Sequence, residues 1–107
     1  MNPLGEFELL VLLAVIRLEE EAYAVPVREE IEARTGRNVA RGAVYMTLDR
    51  LVRKGHLRER SVAGGAERGG RPKRLFQISA AGRAATQEAL MALRKMQQGL
   101  TLFGRER

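Results

Sequence analysis

Cysteine is absent from the 107 residues, which excludes both a disulfide framework and Cys-ligated zinc. Histidine occurs once, as His56, so a His-rich metal site is excluded as well. Long apolar runs are lacking. The run Leu9 to Ile16 spans eight residues, far short of the roughly 18 that a membrane-spanning helix needs. Met1 to Gly5 carries no basic segment, and no small-residue cleavage site follows the apolar run, so no secretory signal is expected. The glycine-rich stretch Gly64 to Arg71 lacks the Gly-Lys-Ser/Thr ending of a phosphate-binding loop and leads into a strand pattern, which argues against nucleotide hydrolysis. The glutamates of the N-terminal third form no acid/base pair, and no catalytic constellation or cofactor motif is present. The sequence predicts a small, soluble, cytoplasmic protein without cofactor, and not an enzyme.

What is present is positive charge in one place. Nineteen Lys and Arg face thirteen Asp and Glu, for a net charge of +6. Residues 1–33 hold two basic and eight acidic side chains, residues 34–74 twelve and three, and residues 75–107 five and two. The middle third carries more positive charge than the whole chain. That pattern suggests a polyanionic partner, against the alternative of a merely solvated basic face.

Periodicity orders the elements. A first helix is expected from about Gly5 to Leu18, with one stripe of Phe7, Leu10, Val11, Ala14 and Leu18 and a second of Leu9, Leu12, Leu13 and Ile16. Two apolar sides require burial on both, either in a thick monomer core or against a partner subunit; the second is preferred. A helix from about Val25 to Thr35 follows, with Pro26 in its first turn and Gly36 as its stop. A third helix, about Arg41 to Lys54, has Val44, Leu48, Leu51 and Val52 inward. Its outer face holds Gly42, Ala43, Met46, Asp49, Arg50 and Arg53, flanked by Arg41 and Tyr45. Strands at His56–Val62 and Lys73–Ser79 enclose a basic glycine loop. Ser79 is the expected N-cap of a last helix from Ala80 to about Gln98. Its stripe Ala89, Leu93, Met96, Leu100 and Phe103 has coiled-coil spacing, interrupted by Gly99. Two helices joined by a tight turn, the second basic on its outer face and followed by a hairpin, outline a winged helix-turn-helix.

These residues resemble the PadR-like winged helix-turn-helix transcriptional regulators. The resemblance lies in Gly42-Ala43-Val44-Tyr45-Met46-Thr47-Leu48-Asp49-Arg50-Leu51, in Lys54-Gly55, and in Gly70-Arg71-Pro72-Lys73-Arg74-Leu75-Phe76. Tyr23 and Ile31 are similar to the aromatic start and apolar body of the family's second helix. The similarity extends over about residues 4 to 98 and fits the family's short form, with one C-terminal helix. There are departures. Ala40-Arg41 stands where Ser often precedes the recognition helix, leaving Asn38 as a possible cap. Val25-Pro26 replaces an aromatic and an acidic residue. The Trp that some relatives use to stack a flat drug between subunits is missing.

The expected fold class is therefore α+β, mostly helical: a winged helix-turn-helix of three helices and a two-stranded wing over residues 1–79. A C-terminal dimerisation helix and tail occupy residues 80–107. The resemblance implies a sequence-specific DNA-binding regulator, a homodimer on an inverted-repeat operator, repressing until a small apolar effector binds at the dimer interface. Expected on DNA are Tyr23, Arg41, Gly42, Ala43, Tyr45, Met46, Arg50, Arg68, Arg71, Lys73 and Arg74, with the Tyr45 ring half-buried and its hydroxyl on a phosphate. Expected between subunits are Phe7, Leu9, Leu12, Leu13, Ala89, Leu93, Met96 and Leu100. The competing reading is a winged-helix interaction module that turns the same basic surface to an acidic protein partner.

Overall fold

The computed structural model describes residues 4–65 and 69–102. Its elements are α1 (Glu6–Leu18), a 3-10 turn (Glu19–Glu21), α2 (Ala24–Thr35), α3 (Arg41–Arg53), β1 (Leu57–Val62), β2 (Lys73–Ile78) and α4 (Ala80–Gln97). The order is that of a mostly helical α+β winged helix-turn-helix. Boundaries fall within a residue or so of the periodicity, and the acidic connection after α1 is a 3-10 turn.

The core gathers around α1. Val11, Leu12, Ala14 and Val15 of that helix are buried against Val27 and Ile31 of α2, Val44, Leu48 and Leu51 of α3, and Leu75 and Phe76 of β2. A fully buried Leu contributes about 2 kcal/mol, so α1 is the central post of the subunit. This corrects the reading of Leu12 as an interface residue, since the subunit's own core encloses it fully; Leu9 is 7% exposed but stands outside that cluster. Two-sided burial of α1 is real, but α2, α3, β2 and α4 supply most of it. Phe7 and Leu10 are partly buried against the core, and Leu13 is half-exposed.

The turn between α2 and α3 is held without a side-chain cap. Ala40 is the N-cap of α3 and offers none, and Asn38 does not replace it. Instead α2 clamps Val39 by both backbone groups: Arg28 Nε donates to the Val39 carbonyl at 2.7 Å, and the Val39 N–H donates to Glu32 at 2.9 Å. Val39 itself is buried. Gly36, at φ +74, takes the left-handed conformation that ends α2, with its N–H on the Glu32 carbonyl.

β1 and β2 pair antiparallel, from Leu57 opposite Ile78 to Val62 opposite Lys73. The other edge of β2 is engaged where the Phe76 N–H donates to the Ala22 carbonyl, just after the 3-10 turn. At the neck of the wing, a Cβ on Gly64 would lie 1.7 Å from the Arg71 carbonyl oxygen, so the two wing limbs cross where no side chain fits.

α4 is stitched to the end of α3. The Ser79 hydroxyl donates to the Gly55 carbonyl at 2.6 Å and accepts the Gly82 N–H at 2.9 Å, making Ser79 the N-cap expected. A Cβ on Gly82 would sit 2.0 Å from the His56 carbonyl oxygen, so helix and turn touch backbone to backbone. Beyond Ala89 every described residue is exposed. The helix stops at Gln97, and Gly99 at φ +83 turns the chain. Leu100, expected on the helical seam, therefore lies past the helix end, and Phe103 lies outside the described residues.

Candidate nucleic-acid interface

The N-terminal half of α3 presents Arg41, Gly42, Ala43, Tyr45 and Met46 to solvent, with Tyr45 40% and Met46 65% exposed. Val44, Thr47, Leu48 and Leu51 fill the opposite side, so the core stripe aims this face outward. No side chain caps the start of α3, where the Ala43 N–H donates to the Ala40 carbonyl at 3.1 Å. A Cβ on Gly42 would meet nothing within 4 Å. Nothing inside the subunit demands glycine there.

Between this face and the wing lies a cleft of about 390 Å³, lined among others by Tyr23, Val25, Tyr45, Pro72 and Lys73. Lys73 Nζ stands 4.4 Å from the centroid of the Tyr23 ring. The structure thus brings together Tyr23, the N-cap of α2, Tyr45 of α3 and Lys73 of β2, although 22 and 28 residues separate them in the chain. Arg71 is exposed at the wing base. Arg68 lies outside the described residues. Among the described residues, no hydrogen bond or ion pair engages the side chain of Arg41, Arg53 or Tyr45.

Two of the expected DNA contacts are committed elsewhere. Arg50 Nε donates to Glu8 at 3.0 Å and its terminal nitrogen to Thr47 at 3.4 Å. Lys54 Nζ reaches the same Glu8 oxygen at 2.9 Å, and the Gly5 N–H donates to the other at 2.9 Å. Burial of Glu8 pushes its carboxyl up, but the bonds from Lys54, Gly5 and Arg50 outweigh it and hold the pKa at about 2. Arg74 donates to Glu59 and to Asp49, both at 2.6 Å, and these carboxylates raise its already high pKa. Arg50 and Arg74 therefore place helix and wing rather than offering unpaired charge.

Sequence reasoning missed Glu8, Asp49 and Glu59 as partners. Asp49 was visible as the one acid on the outer face of the recognition helix. Glu8, an acid inside an otherwise apolar stretch, was the other available signal. Among the described residues no group of His, Cys, Asp and Glu is arranged to hold a metal ion, and no helix is long and apolar enough to cross a membrane.

Three helices, a helix-turn-helix with an open recognition face and an adjoining two-stranded wing define the winged-helix class of transcription regulators. Residues 12–88 match the Transcriptional regulator PadR-like family, and the chain belongs to it. Membership makes it a regulator of transcription, in a class that binds DNA, and not an enzyme. Solved structures agree in fold. A PadR-like transcription factor from Bacteroides fragilis superposes with TM-score 0.73 at 21% identity, covering 88% of this chain and 85% of that one. A PadR family transcriptional regulator from Eggerthella lenta gives 0.68 at 22%, covering 84% and 76%. Wild-type MarR from E. coli gives 0.62 at 18%, covering 92% and 67%. No curated protein sequence matches the chain.

Proposed function

We propose that this chain is a cytoplasmic, homodimeric repressor that binds an inverted-repeat operator through α3 and the wing. The observation that carries the reading is the open face of α3, with Arg41 at its start, beside the Tyr23–Tyr45–Lys73 cleft. Arg41 and the uncapped helix start suit a phosphate. The phenolic rings and Lys73 suit the sugar-phosphate backbone, and Gly42, Ala43 and Met46 suit the major-groove floor. Arg71 extends the basic surface at the wing base.

The dimer rests on α4. Leu90, Leu93 and Met96 are exposed on a helix whose residues beyond Ala89 are all exposed, and at 51% and 77% exposure Leu93 and Met96 are costly to leave in water. A lone helical extension of this length is marginally stable. A second copy supplies cover, with Ala89, Leu93 and Met96 packed against Phe7 and Leu13. That two-fold arrangement would set the two α3 helices one DNA turn apart, roughly 34 Å. A small apolar effector fits the same seam, where it would shift one subunit against the other and release the operator.

Selection from a random duplex library tests the reading. Dyad-symmetric winners that outcompete scrambled duplexes of equal composition are expected. Equal competition by scrambled duplex would favour the alternative, an acidic protein partner on the same basic surface.

A further inference from the structure

The part of α3 that faces outward is short of hydrogen-bonding groups. Gly42 has no side chain, Ala43 ends in a methyl group, and Met46 extends a thioether that is 65% exposed. The polar residues that follow are occupied: Asp49 accepts from Arg74 at 2.6 Å, and Arg50 donates to Glu8 at 3.0 Å. Tyr45 lines the cleft with Tyr23 and Lys73, to one side of the Ala43–Met46 line. The centre of the recognition face is thus apolar, within a rim carrying Arg41 and Arg53.

We infer that Ala43 and Met46 read the 5-methyl groups of thymines in the operator half-site. This rests on the reading of α3 as the helix that enters the major groove. In that groove the apolar feature a base pair offers is the thymine methyl, which Ala-type and other apolar side chains contact directly. The basic rim matches the phosphates on either side, so charge brings the face to DNA and the methyl contacts select the site. An unpaired Met in water gains by covering a methyl and gains nothing from the bare edge of a G·C pair, whose acceptors and donor it would strip of water. Thymine is the source assigned here; 5-methylcytosine carries the same group.

The test uses the best duplex from the random-library selection, resynthesised with deoxyuridine replacing thymidine one position at a time. Deoxyuridine pairs identically and removes the methyl alone. At one or two positions per half-site, affinity should fall roughly four-fold for each methyl lost. Met46→Ala, a change at an exposed position, should bind the thymidine and deoxyuridine duplexes nearly equally at the position it reads. Equal wild-type affinity at every position, with scrambled duplex still rejected, would overturn methyl reading and leave DNA binding intact. A gain from 5-methylcytosine without any loss from deoxyuridine would overturn the thymine assignment. Failure of the selection to enrich any sequence would instead overturn the DNA-reading role of α3 itself.

Discussion

The guanidinium of Arg74, on β2, donates to Oδ1 of Asp49, on α3, at 2.6 Å, and so ties the wing to the recognition helix. Its Nε donates to Glu59 of β1 at the same distance, and the plane lies 5.0 Å from the Phe76 ring. One side chain therefore joins both wing strands to α3. Its charge is met by two carboxylates before any phosphate arrives.

Arg74 and Arg41 should consequently behave differently on replacement. Arg41→Ala should flatten the dependence of log affinity on log salt by about one unit, as loss of a phosphate contact does. Arg74→Ala should weaken binding with a much smaller change of slope, because it removes an anchor for the wing. Since the Arg74 pairs are solvent-exposed, its loss should cost the fold no more than about 1 kcal/mol. Equal slope changes for the two variants would show that Arg74 touches the backbone directly.

Glu8 is the second anchor, between α1 and the end of α3. Its carboxyl titrates near 2 when folded and near its ordinary value when unfolded, so folding favours the ionised form. The stabilisation is fully present above about pH 4.5 and disappears as pH falls toward 2, where both states hold the proton. The shift corresponds to about 3 kcal/mol. Glu8→Gln should lower stability near neutral pH by about 2–3 kcal/mol and largely remove the loss on acidification across that window. Urea unfolding at several pH values reads both effects. An unchanged acid limb in the variant would rule Glu8 out as the group responsible.

Replacing Gly82 with Ala would ordinarily favour a helix by about 1 kcal/mol. Here the new Cβ would meet the His56 carbonyl carbon and oxygen at 2.9 and 2.0 Å, and neither is the movable end of a side chain. We expect destabilisation of about 1–3 kcal/mol instead, seen as a lower urea midpoint. A more stable variant would mean that α4 does not dock on the α3–β1 turn as described.

Association gives the last expectation. Leu93 and Met96 are exposed in the subunit, so replacing both with Glu should leave the fold of residues 4–65 intact while its unfolding transition loses the stabilisation, and the concentration dependence, that association supplies. In a dimer the same change buries two unpaired carboxylates per subunit, which is strongly disfavoured. Sedimentation equilibrium at low micromolar concentration should show a wild-type dimer and a monomeric variant, with specific operator binding lost. A folded wild-type monomer at that concentration would remove the basis for an inverted-repeat operator.

Local signals reached far in this chain. Gly36, Gly55 and Ser79 stand where α2, α3 and α4 turn or begin, since left-handed backbone and N-cap bonding are decided by one residue and its neighbours. The outward placement of Ala43 and Met46 follows from Val44, Leu48 and Leu51 claiming the other side of the same helix. Which element would face each apolar stripe was beyond local reach. Leu12 read better as interface than as core, and it became core because α2, α3 and β2 close on α1.

The sequence by itself determined the order of the elements, their ends, the basic middle third and the apolar face of the recognition helix. Each depends on residues within a few turns of one another, so periodicity and capping suffice to read it. Only the tertiary structure decided which charges remain available. Glu8 meets Arg50 and Lys54 across 42 and 46 residues, and Arg74 meets Asp49 across 25. Helical spacing gives the direction of a side chain about its own axis. It does not give the carboxylate that another helix brings to within 3 Å, and that encounter separates an arginine paired within the subunit from one that is not.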